Sequence, residues 1–109
     1  MSERFIAAGK ASELEPGTMR RVDLDGHRIL LANVAGRICA ADDTCTHEEA
    51  SLSSGSLTGA LVKCPLHGSR FNVCTGEALE EPAEDSLRTY PVRIDGDQVL
   101  VRLPDPEAP

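Results

Sequence analysis

Apolar and polar positions along this chain alternate in short runs, each closed by a turn signal. In QVLVRL (98–103), Val99, Val101 and Leu103 fall on one face and Leu100 and Arg102 on the other. RTYPVRI (88–94) puts Tyr90, Val92 and Ile94 on one face and Thr89, Pro91 and Arg93 on the other. Pro91 suits an edge strand, because it has no N–H to give to a ladder. MRRVDL (19–24), Asp25-Gly26 and HRILLANV (27–34) read as a hairpin, since Asp-Gly accepts the positive φ of a two-residue turn. Ala35-Gly36 turns again into RICAA (37–41), and FIAA (5–8), ALVKC (60–64) and RFNV (70–73) are further strands. LEPG (14–17) is a turn, and Thr75-Gly76 separates RFNV from EAL. A helical period is missing from every long segment, leaving room for no more than a short helix in SELEP or PAEDS. The tail PDPEAP (104–109) is expected to fray. The pattern predicts an all-β, antiparallel fold without repeats.

A length of 109 residues suits one domain with a small core. With no Trp, one Tyr and two Phe, that core must be built from aliphatic side chains. The net charge of −7 argues against nucleic acid and favours a basic protein partner. No apolar run is long enough to span a membrane, and MSERFIAAGK lacks the layout of a signal peptide. The cytoplasm is the expected compartment, and thiols there stay reduced. On that ground Cys39 is expected to pack as a small core residue and Cys74 to be a partly exposed thiol without function, the two unbonded to each other. His27 reads as an ordinary surface residue.

Two segments carry chemistry. TCTHEEAS (44–51) offers Cys45 and His47; KCPLHGSR (63–70) offers Cys64 and His67. The spacing is C-x-H, sixteen residues, then C-x-x-H, with each pair in a loop between strands. A structural zinc finger usually groups Cys with Cys and His with His on a helix. A two-iron, two-sulfide cluster explains the mixing: each loop gives one ligand to each iron, thiolates on one and neutral imidazoles on the other. Imidazole in place of thiolate removes negative charge and raises the potential above that of an all-cysteine ferredoxin. Zinc on the same four residues, or no metal at all, are the alternatives.

C-T-H (45–47) with C-P-L-H-G-S (64–69) resembles the Rieske 2Fe-2S family. The opening RFIAAG…SELEPGTMRRVDLDGHRILLANV and the closing YPVRIDGDQVLVRL are similar to the small ferredoxin subunits of bacterial aromatic-ring-hydroxylating dioxygenases, over nearly the whole chain. The resemblance implies a single domain over 1–109 with three antiparallel sheets: a base from the N- and C-terminal strands and a cluster-binding part inserted at about 43–77. It implies Cys45 and Cys64 on the inner iron, His47 and His67 on the outer iron near the surface, and a third loop with Pro82 over the cluster. Gly68 is expected to let the backbone approach the cluster, and Ser69 to donate a hydrogen bond to it.

High-potential members of that family carry an extra disulfide between the cluster loops and a Tyr after the second His. Here Ala50 and Leu66 occupy the cysteine positions and Phe71 the tyrosine position. Fewer donors to sulfur imply a midpoint near the bottom of the roughly −150 to +300 mV range of Rieske centres.

The implied function is a one-electron carrier between an NAD(P)H-dependent flavoprotein reductase and a terminal oxygenase. Such a chain is not itself an enzyme, binds no small-molecule substrate and is expected to be a monomer. Docking would be transient, at the His47/His67 tip, with Pro65 and Leu66 as an apolar patch and Glu48, Glu49, Glu80 and Glu81 as an acidic rim. The rival readings are a small Rieske-like subunit of another redox enzyme, such as nitrite reductase, and a zinc-stabilised binding module.

Overall fold

A computed structural model of the chain describes residues 4–45, 50–66, 68–79 and 86–103. Among them every strand pairing is antiparallel, and no α-helix occurs. The strands are β1 (Arg4–Lys10), β2 (Met19–Leu24), β3 (His27–Val34), β4 (Arg37–Asp42), β5 (Ser56–Thr58), β6 (Leu61–Lys63), β7 (Arg70–Asn72), β8 (Thr89–Tyr90), β9 (Val92–Asp95) and β10 (Gln98–Leu103). They form three sheets, ordered β1-β10-β9, β2-β3-β4-β8 and β5-β6-β7. Short 3-10 turns occupy Ala11–Glu13 and Leu52–Ser54.

The middle of HRILLANV explains the layering. Ile29 and Leu31 pack with Val99, Val101 and Leu103 of the first sheet. Leu30 and Ala32 point the other way and pack with Val62, Phe71 and Val73 of the third-sheet region. A strand buried on both faces needs a continuous apolar run, and residues 29–32 supply one. β4 divides in the same way: Ala40 joins the first core, whereas Cys39 and Ala41 join the second.

The predicted strands 19–24, 27–34 and 98–103 match β2, β3 and β10. Asp25 (φ 51°) and Gly26 (φ 85°) both take positive φ, as the two-residue turn requires. Two expectations are corrected. RTYPVRI is not one strand: Pro91 separates β8, on the edge of the four-stranded sheet, from β9, on the edge of a three-stranded one. Ile94 therefore does not share the burial of Tyr90 and is 47% exposed. Segment EAL forms only an isolated bridge, Phe71 to Ala78.

The second correction concerns the cysteines. Cys39 and Cys74 are joined in a disulfide. β4 turns Cys39 toward the third sheet, and the turn after β7 brings Cys74 to a Cα–Cα distance of 5.1 Å, inside the span a disulfide bridges. Compartment alone had argued against the bond, but register and turn geometry decide it. No helix among the described residues is long and apolar enough to cross a membrane.

Candidate metal centre

The two motif cysteines stand at the mouths of two loops built alike. The Cys45 amide donates to the Ala50 carbonyl at 3.0 Å, and the Cys64 amide donates to the Ser69 carbonyl at 2.8 Å. Each bond joins residues five apart and closes a short loop that contains the motif histidine. His47 and His67 themselves lie outside the described residues, as do Glu48, Glu49, Glu80, Glu81 and Pro82. The first loop is also closed by the Thr44–Ser51 bridge, and the second by the Gly68 amide, which donates to the Cys64 carbonyl at 3.2 Å. Gly68 sits at φ 78°, a conformation that glycine adopts without strain.

Asp43 holds the return limb of the first loop. Its side chain is 1% exposed and accepts the Ser51 hydroxyl and the Ser53 amide. Its carbonyl accepts the Leu52 amide at 2.7 Å. Sequence reading missed this residue, although an Asp two positions before a Cys and a following S-x-S were visible. From there the 3-10 turn leads to Gly55, packed so closely on the end of β6 that a Cβ would lie 1.9 Å from the Lys63 carbonyl oxygen. That contact places the first loop against the foot of the second.

Both thiols point inward. Cys45 and Cys64 are 4% and 1% exposed and belong to one apolar core with Leu52, Val62 and Phe71. Neither takes part in the disulfide. Two buried thiols, one at the mouth of each loop, suit a metal group that needs thiolates from both sides. Ser69 is fully buried beside them, and Phe71 is fully buried in β7. Leu66, by contrast, is 60% exposed at the loop tip, with Pro65 exposed beside it.

A family model for the Rieske [2Fe-2S] domain matches residues 4–91. The chain belongs to the Rieske [2Fe-2S] family. With that membership comes one [2Fe-2S] cluster as cofactor, and the buried pair of thiols fits it. The Rieske chain is 42% identical over 103 residues to the ferredoxin component of the naphthalene 1,2-dioxygenase system of Pseudomonas aeruginosa, covering 94% of this chain and 99% of that one. Among solved structures it is similar to the ferredoxin in a complex of reduced oxygenase and oxidized ferredoxin of carbazole 1,9a-dioxygenase. There the TM-score is 0.86 and the identity 38%, over 90% of this chain and 92% of the other. A nitrite reductase small subunit from Mycobacterium tuberculosis matches with TM-score 0.84 at 23% identity, over 96% and 99% of the two chains, a likeness that shows the fold alone.

Proposed function

We propose that this Rieske protein is the electron-carrying ferredoxin of an aromatic-ring dioxygenase system. It would accept one electron at a time from an NAD(P)H-dependent flavoprotein reductase and hand it to a terminal oxygenase, in the cytoplasm and as a monomer. The carrying observation is that Cys45 and Cys64 are buried at two matching loop mouths while the other two cysteines pair with each other. The similarity to a naphthalene dioxygenase ferredoxin over nearly the full length of both chains supports the choice of system.

When bound, the cluster supplies a one-electron couple. Cys45 and Cys64 would hold it as thiolates from the protein side, and His47 and His67 as imidazoles from the solvent side. The apolar core behind the thiols excludes water from the inner ligands. Gly68 and Ser69 would line the second loop, and Pro82 would cover the group from a third. The segment at about 43–77 then acts as the cluster-binding part inserted in a base built by the flanking strands; β5, β6 and β7 all fall inside it. Leu66 and Pro65 offer an exposed apolar contact at the tip, suited to a small, short-lived interface with reductase and oxygenase in turn.

The experiment is electron paramagnetic resonance on the purified, dithionite-reduced protein, with iron and zinc analysis of the same sample. A rhombic signal and two irons per chain are expected. A silent spectrum with zinc would make the chain a zinc-stabilised module. Co-purification with a large subunit at fixed stoichiometry would make it a built-in subunit, of the nitrite-reductase kind, instead of a free carrier.

A further inference from the structure

The disulfide is not hidden. Cys39 and Cys74 line a surface groove of about 450 Å3 between β4, β8 and the start of β9. Arg37 and Arg102 line the same groove, and no carboxylate is among the described residues that do. An adjoining hollow of about 200 Å3 shares Thr89, Tyr90, Pro91 and Arg102 and adds Arg88. Behind this wall, Asp42 of β4 accepts the Tyr90 hydroxyl. Within a chain of net charge −7, the charged groups among the described residues that line the groove around the disulfide are thus arginines.

We propose that this groove is a thiol–disulfide exchange site for a small anionic thiol, of the class to which glutathione belongs. The arginines concentrate an anion at the groove. The two sulfurs are not equivalent: Cys39 is 6% exposed in the core, whereas Cys74 is half-buried in a turn. An incoming thiolate attacks Sγ of Cys74. A new S–S bond forms, the old one breaks, and the electron pair leaves on Cys39 Sγ, which takes a proton from solvent. A second thiol then attacks the sulfur of the first, releasing the oxidised thiol dimer and the Cys74 thiolate, which is protonated in turn. Two thiols lose two electrons, and the protein disulfide gains them.

Its position gives the exchange a consequence. The bond spans 35 positions, and Cys45, His47, Cys64 and His67 all lie between its two ends. Opening it removes the covalent link between the two ends of the segment that carries the proposed ligands. The exchange itself does not depend on the electron-carrier reading, since it uses the other two cysteines.

The test uses the intact purified protein, kept free of reductant. It is incubated with glutathione or with neutral 2-mercaptoethanol, acid-quenched and mapped by peptide mass spectrometry, which separates Cys39 and Cys74 from Cys45 and Cys64. Before incubation, linked Cys39 and Cys74 peptides are expected. During it, a mixed disulfide should appear on Cys74. Exposed Arg37 provides the variant: Arg37→Gln should lower the glutathione rate relative to 2-mercaptoethanol on the order of threefold, and Arg37→Lys should restore it. A first adduct on Cys39, unlinked peptides at the start, or a rate ratio that Arg37→Gln leaves unchanged would each overturn the proposal.

Discussion

The Ser53 amide donates to Asp43 Oδ1 at 2.8 Å across the base of the first cysteine loop. The same carboxylate accepts the Ser51 hydroxyl, so one buried side chain fastens the limb that returns toward β5. Asp43→Ala would leave both donors without this partner, at about 1–3 kcal/mol. Asp43→Asn keeps one acceptor and should lose less. Denaturant unfolding ranks the three proteins, and the rate of iron loss to a chelator should follow the same order. Faster unfolding without faster iron loss would mean that Asp43 stabilises the fold but does not hold the loop.

Glycine substitutions should separate backbone strain from collision. Gly26 has φ 85° with nothing within 4 Å of a new Cβ, so Gly26→Ala should cost about 1–2 kcal/mol, the strain of left-handed backbone alone. Gly76 has φ 82°, and a Cβ there would lie 2.2 Å from the Leu87 carbonyl oxygen, while its own carbonyl accepts the Leu87 amide at 2.7 Å. Gly76→Ala should therefore lower the melting temperature clearly more than Gly26→Ala. Equal losses would show that the segment at Leu87 gives way easily.

Tyr90 predicts an alkaline limit. Burial first, and then its hydrogen bond to Asp42, pushes the phenol pKa well above its usual value. The fold thus favours the protonated phenol, whereas the unfolded chain ionises near pH 10. Stability from this group is complete below about pH 10 and declines as pH rises beyond it, because the native state then binds more protons. Tyr90→Phe should begin less stable at neutral pH by about 1 kcal/mol and show a shallower alkaline decline. Denaturation midpoints from neutral to strongly alkaline pH would reveal it, and parallel curves would remove Tyr90 as the cause.

Ser69 should tune the potential. It is fully buried in the second loop, next to a fully buried Phe71 that can donate no bond from its side chain. If the Ser69 hydroxyl donates to the cluster, a bond of about 1 kcal/mol corresponds to about 40 mV for one electron. Ser69→Ala should lower the midpoint by that order, from a parent value expected near the bottom of the roughly −150 to +300 mV Rieske range. An unmoved midpoint in a correctly folded variant would place the hydroxyl's role elsewhere.

The elements legible in the sequence are those with a local cause. Asp25-Gly26 and Ala35-Gly36 mark tight turns that bound the runs beside them, so β2, β3 and β4 could be read within a residue of their ends. The loops that begin at Cys45 and Cys64 were legible because a motif's spacing is itself local. Pro91 shows the limit: a period of two reports which face a residue takes but not which sheet it joins, so Tyr90 and Val92 seemed to share a strand while pairing with Ala40 and Val101 respectively. β5 has one apolar residue in Ser-Leu-Thr and no pattern to find. The Cys39–Cys74 bond depends on two registers meeting across 35 positions, information that no local window contains.

That bond also makes residues 39–74 a covalent ring within the chain. A protease cut anywhere inside the ring leaves two pieces still joined. Such a nicked molecule would migrate as one band on a denaturing gel without reductant and as two with it. Damage to the exposed loop tip at Leu66 is therefore survivable in a sense: the piece before the cut keeps both Cys45 and Cys64, and the Cys39–Cys74 bond holds the piece after it in place.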